Sequence, residues 1–194
     1  MIRLDHACFA YGEKQVLKDL SLTIPKQGIT VICGPSGTGK TTLLRILAGL
    51  ERLDSGTVSG ISPKETAFLF QEDRLLPWRT VRQHITDVMP RKAQGSAEEF
   101  LKIVELEQEA AAYPAALSGG MCRRLALARC LSLGGSLLLL DEPFTGIDPE
   151  RTRRILQRLR QRNVPTILVS HEDNAKQYTD RVIDLGTLPS GNQP

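Results

Sequence analysis

One glycine-rich segment constrains the fold of this 194-residue chain more than any other part of it. Residues 34–41 read Gly-Pro-Ser-Gly-Thr-Gly-Lys-Thr and match the pattern G-x4-G-K-[ST]. The segment follows the β-branched run Ile29–Cys33, which is typical of a strand buried on both faces. It leads into residues 40–50, where leucines recur at helical spacing. A strand, a glycine-rich loop and a helix in this order predict a polyphosphate-binding loop, which we call the phosphate loop.

The chemistry of the phosphate loop follows from its residue types. Glycines let successive backbone N–H groups converge on phosphate oxygens, and the start of the next helix adds partial positive charge. Lys40 is predicted to reach the β- and γ-phosphates, and the Thr41 hydroxyl is predicted to coordinate Mg²⁺. The residues assigned to phosphate binding are Gly34, Pro35, Ser36, Gly37, Thr38, Gly39, Lys40, Thr41 and Thr42.

A second candidate motif is the apolar run Leu137–Leu140, which is followed by Asp141 and Glu142. A carboxylate at the C-terminal end of a strand lies beside the phosphate loop in an open α/β sheet. We therefore predict that Asp141 assists Mg²⁺ binding and that Glu142 polarises an attacking water. Two acids that merely cap a strand at a turn are the alternative, which the presence of the phosphate loop disfavours.

Ser118-Gly119-Gly120 forms a third motif, directly before a helical segment. Alone, it would be read as a flexible turn with a serine helix cap. In a chain with a phosphate loop, a hydroxyl, two unobstructed amides and a helix N-terminus predict a second anion site. One nucleotide cannot contact both sites of a single chain unless the chain folds back, whereas two chains arranged head to tail allow it.

The remaining pattern alternates strands with helices, which predicts a largely parallel sheet covered by helices. The fold class is α/β: a P-loop NTPase core with a mostly parallel sheet, N-terminal antiparallel β strands and an inserted α-helical subdomain. We expect one domain over 1–194, with a core of 1–71 and 118–194, a helical insertion over 72–117 and a frayed tail after Thr187. The predicted strands are residues 20–24, 29–33, 66–70, 137–140, 166–170 and 182–185, and the predicted helices are 40–50, 97–106, 120–131 and 149–162.

Composition disfavours several other classes of protein. A net charge of +3 and an aromatic share of 5% argue against a nucleic-acid partner. The nearly apolar stretch 131–140 is too short to cross a bilayer, and the N-terminus has no signal-peptide pattern, so we expect a cytosolic protein. The six arginines within 151–162 predict a solvated helix face, with anionic lipid as an open alternative. Reduced thiols are expected because no C-x-x-C pair occurs among Cys8, Cys33, Cys122 and Cys130.

The order of these motifs resembles the ATP-binding cassette (ABC) family. The resemblance runs from Tyr11 to His171 and includes Leu-Ser-Gly-Gly and Leu-Leu-Leu-Leu-Asp-Glu-Pro. It implies that Tyr11 stacks on adenine, that Gln71 senses Mg²⁺ and the γ-phosphate, and that His171 contacts the γ-phosphate. Asp148 matches a loop that crosses the dimer interface, and it also suits the cap of a helix that begins at Pro149.

The resemblance implies an ATPase that uses ATP and Mg²⁺. Two copies would enclose each nucleotide between the phosphate loop of one chain and Ser118, Gly119 and Gly120 of the other. Metal binding would fall to Thr41, Gln71 and Asp141. The residues expected to act in hydrolysis are Lys40, Gln71, Glu142 and His171.

The resemblance also implies partners. They are integral-membrane permease subunits, a second copy of the chain or a paralogous ATPase, and an extracytoplasmic solute-binding protein. The protein would then lie on the cytoplasmic face of the cell membrane. The stretch Gln71–Val81 is the expected permease contact, with Trp78 either exposed there or packed within the subdomain. It is also similar to importer ATPases for nitrate, sulfonate, taurine and thiamine-precursor substrates.

Two departures from the family pattern and three rival functions remain. Met121 replaces the usual glutamine after Leu-Ser-Gly-Gly, and Cys122 occupies a position where a basic residue is common. The phosphate-binding atoms belong to residues 118–120, so Met121 is expected to weaken the site modestly at most. The rivals are a soluble ABC ATPase of DNA repair or translation, a small-molecule kinase and a regulatory subunit that does not hydrolyse ATP.

Overall fold

The structure is a computed structural model that describes residues 1–171 and 173–187. The tail after Thr187, which we predict to be frayed, lies outside the described residues. Across the described part of the chain, no helix combines the length and the apolar character needed to cross a membrane.

An antiparallel sheet of three strands comes first, in the order β2-β1-β4. It consists of β1 (Ile2–Tyr11), β2 (Lys14–Ile24) and β4 (Ser55–Ser59). The turn at Gly12 joins the first two strands, because Tyr11 pairs with Lys14 and Gly12 has a φ of 59°. The sheet confirms the predicted N-terminal antiparallel strands, although β1 and β4 were absent from the predicted elements.

A parallel sheet of five strands carries the rest of the fold, in the order β5-β6-β7-β3-β8. Its strands are β3 (Ile29–Cys33), β5 (Thr66–Leu69), β6 (Leu137–Asp141), β7 (Thr166–Val169) and β8 (Arg181–Asp184). Every residue of β3, β6 and β7 is buried, as the predicted two-sided burial requires. The predicted α/β fold class with a mostly parallel sheet is confirmed.

Alternating side chains of the parallel sheet enter two separate cores. On β6, Leu137 and Leu139 join the core shared with the antiparallel sheet, while Leu138 and Leu140 join the other core. The helices divide in the same way, since α1 packs into the first core and α4 and α5 pack into the second. The helices are α1 (Lys40–Leu47), α2 (Val81–Thr86), α3 (Ala97–Val104), α4 (Gly119–Ser132), α5 (Pro149–Gln161) and α6 (Asp173–Lys176).

Two predicted helices end earlier than their apolar spacing indicates. The helix predicted over residues 40–50 ends at Leu47, because Gly49 adopts a φ of 69° that breaks the helix. The helix predicted over 97–106 ends at Val104, because Glu105 has a φ of 58°. In both cases the left-handed residue is the helix-terminating feature.

Residues 70–118 contain helices and turns but no strand. Thr80 caps α2 with a complete capping box, in which Thr80 and Gln83 each accept a hydrogen bond from the other's backbone N–H. Apolar side chains of α2 and α3 enter the same core as α4. The helical segment is therefore held against the helix that follows Ser118.

Glu105 is the hub of a charge cluster that the sequence did not predict. Its carboxylate accepts hydrogen bonds from Arg154 at 2.6 and 3.0 Å and from Arg151 at 2.9 Å, and Arg158 lies 3.2 Å away. The hydrogen bonds from Arg154 and Arg151 lower the pKa of Glu105 to about 2. The prediction of a solvated arginine face is thus wrong for these three side chains, which are only about a third exposed.

We predict that Glu105→Gln lowers the free energy of unfolding by about 2 kcal/mol at pH 7, because three arginines lose their shared carboxylate. The carboxyl pKa is lower in the folded protein than its ordinary 4.5. The stabilisation is therefore complete above pH 4.5 and is lost as the pH falls toward 2. Urea unfolding at pH 7, 5 and 4 measures both effects, with exposed Glu107→Gln as the control. A Glu105→Gln loss that matches the control, or that grows on acidification, would contradict the prediction.

Candidate nucleotide-binding site

A cleft of about 610 Å³ opens at the carboxyl edge of the parallel sheet. It lies beyond the ends of β3, β5, β6 and β7, where ligands of open α/β sheets bind. Predicted site residues supply most of its wall, and the hairpin of the first sheet and the ends of β6 and β7 supply the rest. The lining residues are Tyr11, Lys14, Val16, Ser36, Gly37, Gly39, Lys40, Thr41, Thr42, Gln71, Glu142, Thr145, Val169 and His171.

The phosphate loop requires glycine at Gly39 for two physical reasons. Gly39 has a φ of 87°, a backbone conformation that residues with a side chain rarely adopt. A Cβ there would also lie 2.8 Å from Leu17 Cδ2 and 3.0 Å from Val16 Cγ1. Gly39 precedes the first residue of α1, so the N-terminal amides of this helix open toward the cleft. The loop is thus arranged to donate backbone hydrogen bonds to an anion.

Lys40 is held inside the phosphate loop. Its Nζ donates to the carbonyls of Gly34 at 2.9 Å and of Pro35 at 2.8 Å. Burial lowers the pKa of Lys40, and the nearby Glu142 carboxylate opposes this shift. The ammonium group is therefore positioned beside the loop amides, where a phosphate ligand needs a positive charge.

The side chains of Thr41 and Asp141 place two oxygen atoms that can ligate a metal ion side by side. The Thr41 hydroxyl donates to Asp141 Oδ1 at 3.1 Å, and Asp141 is 1% exposed. Burial raises the pKa of Asp141, while the Thr41 hydrogen bond opposes the shift. A hydroxyl and a carboxylate fit Mg²⁺, which takes few protein ligands and completes its shell with water and phosphate oxygens.

Glu142 presents a buried acceptor to the cleft. Its Oε1 lies 3.3 Å from His171 Nε2, which is close enough for an ion pair, yet no donor has hydrogen-bond geometry toward that oxygen. Burial raises the pKa of Glu142, and the charge of His171 opposes the shift. A buried oxygen without a donor is costly, so the site suits a water or ligand hydroxyl at this position.

The aromatic end of the cleft lies beside Tyr11, which is 44% exposed. Its ring packs edge-to-face on Phe9 with centroids 4.8 Å apart, and its hydroxyl donates to Glu51 at 3.2 Å. These contacts fix one edge of the ring and leave a face available for stacking. Lys14 and Val16 lie beside it on the next strand; sequence reasoning missed both, although their position across the hairpin from Tyr11 was a usable signal.

The remaining predicted residues lie outside the cleft of the same chain. Ser118 caps α4, since its hydroxyl accepts from Met121 N at 3.3 Å, and Asp148 caps α5 by accepting from Arg151 N at 2.9 Å. Gly120 approaches the loop that leads to Asp148, because a Cβ on it would lie 2.6 Å from the Gly146 carbonyl. The cleft of one chain therefore brings together Tyr11, most of the phosphate loop, Gln71, Glu142 and His171, with Asp141 hydrogen-bonded to Thr41 beside it. Residues 118–120 and Asp148 do not line it.

Sequence comparison places this chain in a known family. The model of the ABC transporter family matches residues 17–145, which include the phosphate loop, Ser118 and Glu142. The chain belongs to the ABC transporter family. It is an ATP-binding cassette, and ATP binding and hydrolysis are the activities of this family.

The relatives are named as import ATP-binding proteins. The aliphatic sulfonates import ATP-binding protein SsuB 1 of Paracoccus denitrificans is 43% identical over 91% of this chain and 75% of that protein. SsuB of Corynebacterium glutamicum is 42% identical over 91% of this chain and 76% of its own length. The sulfate/thiosulfate import protein CysA of Mannheimia succiniciproducens is 39% identical over 94% of this chain and 58% of its own length.

Solved structures agree with the fold. The dimeric structure of the bacterial ABC transporter cassette MJ0796 superposes with a TM-score of 0.82, at 26% identity, over 96% of this chain and 95% of that one. A dimeric post-hydrolysis state of MJ0796 bound to ADP and Pi gives a TM-score of 0.81 at the same identity. The cassette fold accounts for both sheets and the helical segment.

We predict that Glu142 titrates above its ordinary pKa of 4.5 in the nucleotide-free protein, because burial disfavours the carboxylate. The ionised form is therefore lost at a higher pH than for an exposed glutamate as the solution is acidified. Isotope-edited NMR of the Glu142 carboxyl carbon measures the midpoint. In His171→Gln the midpoint should move further upward, because an opposing charge is removed. A parent midpoint at or below 4.5 would be inconsistent with this environment.

Proposed function

We propose that the chain is the ATP-hydrolysing subunit that powers import of a small solute through separate integral-membrane permease subunits. The observation that carries the proposal is a single cleft that joins a phosphate loop to a half-buried acid, Glu142, whose Oε1 has no hydrogen-bond donor. A subunit that only binds ATP has no need of such an acid beside the phosphates. The import direction and the solute class draw support from relatives named for sulfonate and sulfate import.

Binding of ATP is assigned to the cleft residues as follows. Tyr11 stacks on the adenine, while the amides of the phosphate loop, Lys40 and Thr42 hold the phosphates. Thr41, Asp141 and Gln71 would hold Mg²⁺. When bound, Mg²⁺ neutralises phosphate charge and polarises the terminal phosphoryl group.

Hydrolysis is assigned to Glu142 and the cations around it. The Oε1 of Glu142, which has no hydrogen-bond donor within the chain, accepts a hydrogen bond from the attacking water and orients it toward the γ-phosphate. Lys40 and His171 stabilise the negative charge that spreads over the phosphoryl oxygens. His171 is 51% exposed, so it meets the γ-phosphate from the open side of the cleft.

A second copy completes the site. The amides of residues 118–120 and Asp148 lie outside the cleft of their own chain, so a partner arranged head to tail would bring them to the γ-phosphate. The dimeric state of MJ0796 supports this assembly. ATP then holds two copies together, and ADP makes fewer contacts across the interface, so hydrolysis opens the dimer. A paralogous ATPase in place of the second copy would complete the site in the same way.

Membrane attachment is assigned to the surface that follows Gln71. Trp78 is 68% exposed and Leu76 is 41% exposed, an apolar pair on a segment adjacent to the nucleotide site. We propose that permease subunits bind here on the cytoplasmic face of the cell membrane, with an extracytoplasmic solute-binding protein in the same system. In this proposal 72–117 is the helical subdomain that carries this surface, and 1–71 with the described part of 118–194 is the nucleotide-binding core.

We predict that Glu142→Gln slows ATP turnover at least ~100-fold while ATP binding is retained, because only the orientation of water is lost. The variant should form a stable ATP-dependent dimer, which size-exclusion chromatography with light scattering detects. Ser118→Arg in the same background is the matched control, and it should bind ATP but stay monomeric because its side chain blocks the second anion site. Equal turnover in Glu142→Gln and the parent would remove Glu142 from this role, and an ATP-bound monomer would remove the split site.

A further inference from the structure

Arg123 is a buried arginine that binds main-chain atoms on both sides of the nucleotide site. It lies on α4, five residues beyond Ser118, and is only 4% exposed. Its guanidinium reaches the segment after β5 through Nη1 and the end of β6 through Nε and Nη2. None of the assigned binding or hydrolytic roles uses it.

On the β6 side, Arg123 holds both peptide groups that flank the Cα of Glu142. Its Nε donates to the Glu142 carbonyl at 3.0 Å, and its Nη2 donates to the Asp141 carbonyl. The Glu142 N–H donates to the Val169 carbonyl at 3.0 Å. Two fixed peptide planes determine the direction of the Cα–Cβ bond, so the guanidinium helps to set where the Glu142 carboxylate points.

The backbone of Glu142 needs such support. Glu142 has a φ of 50°, a left-handed conformation that residues other than glycine adopt at an energetic cost. Strained backbone of this kind persists only where the surroundings over-determine it. The Arg123 hydrogen bonds on both sides of this residue provide that restraint.

On the β5 side, the same pattern recurs around Gln71. Arg123 Nη1 lies 2.8 Å from the Phe70 carbonyl and 3.1 Å from the Gln71 carbonyl, the two carbonyls that flank the Cα of Gln71. It also contacts Asp73 Oδ1 at 3.0 Å, the only carboxylate it pairs with among the described residues. One guanidinium thus restrains the backbone of both Gln71 and Glu142.

We propose that Arg123 is a positioning residue for hydrolysis: it locks the backbones of Gln71 and Glu142 to the helix that Ser118 begins. The inference rests on the proposed function of these residues. Because Arg123 and Ser118 belong to one helix, the contact of Ser118 with the partner's nucleotide and the placement of Glu142 in its own site become linked. Lysine cannot replace the planar fork, since its single ammonium cannot reach carbonyls on two segments in fixed directions.

The neighbouring Arg124 offers a matched control. It is also buried on α4, at 6% exposure, and it also binds main-chain carbonyls, those of Val104 and Glu105, each at 2.6 Å. These carbonyls end α3 and lie away from Gln71 and Glu142. Arg124→Lys therefore reproduces the loss of a buried arginine without touching the proposed positioning contacts.

The test compares Arg123→Lys, Arg124→Lys and Glu142→Gln in the full chain, with Tm, kcat and KM for ATP measured on each. We expect Arg123→Lys to lower kcat by ~10- to 100-fold, because small misplacement of reacting groups is costly, and to leave KM within about threefold. Arg124→Lys should lose a similar amount of Tm but keep kcat within about threefold. A fall in kcat at constant KM reports lost positioning rather than lost binding.

The outcomes separate this inference from the proposed function. If Glu142→Gln turns over like the parent, the assignment of Glu142 fails and the inference falls with it. If Glu142→Gln stalls but Arg123→Lys keeps the parental kcat, only the role of Arg123 is overturned. Equal kcat losses in Arg123→Lys and Arg124→Lys would also overturn it, because a general packing defect would then explain both.

Arg123→Gln keeps the test decisive if the lysine variant does not fold. Glutamine leaves no buried charge, and its amide donates to fewer carbonyls than the guanidinium does. The same selective loss of kcat is expected. Failure of both Arg123 variants to fold, with Arg124→Lys folded, would overturn the proposal in favour of a purely structural arginine.

Discussion

The parallel pairing of β3, β6 and β7 is the interaction on which the site depends. Because their carboxyl ends meet at one edge, the phosphate loop, Glu142 and His171 converge although they are far apart in the sequence. The register pairs Ile32 of β3 and Asp141 of β6 with Val169 of β7, which places the ends of the three strands side by side. A slip of one strand would move its terminal residue away from the cleft and disassemble the site.

The second constraint belongs to the proposal: one chain supplies only part of the surface that holds the nucleotide. The phosphate loop and Glu142 line the cleft, while residues 118–120 at the start of α4 do not. In the proposed mechanism, ATP contacts both copies and holds them together. Hydrolysis leaves ADP, which makes fewer contacts across the interface. A ligand shifts a conformational equilibrium only through such a difference in affinity between states. In this proposal the helical segment packed on α4 transmits the change to the permease subunits.

Much of the fold and site was predictable because its signals are local. The phosphate loop and Leu137–Glu142 combine residue type with position relative to a strand, and the structure places both at one edge of the sheet. Strand β1 was missed because register shifts between Leu4 and Ala7 interrupt its alternation, and β4 was missed because it is polar and mostly exposed. The arginine face was misread because its partner, Glu105, enters from another helix. The contacts of Arg123 depend on three segments that meet only in the folded chain.

The split site is the central claim, and a crystal structure of the Glu142→Gln protein with ATP and Mg²⁺ tests it most directly. The deciding distance joins Ser118 Oγ of one copy to the γ-phosphate held by Lys40 of the other. The account predicts a hydrogen bond of about 3 Å across the interface. ATP bound at the phosphate loop with Ser118 far from any phosphate, in every copy, would contradict it.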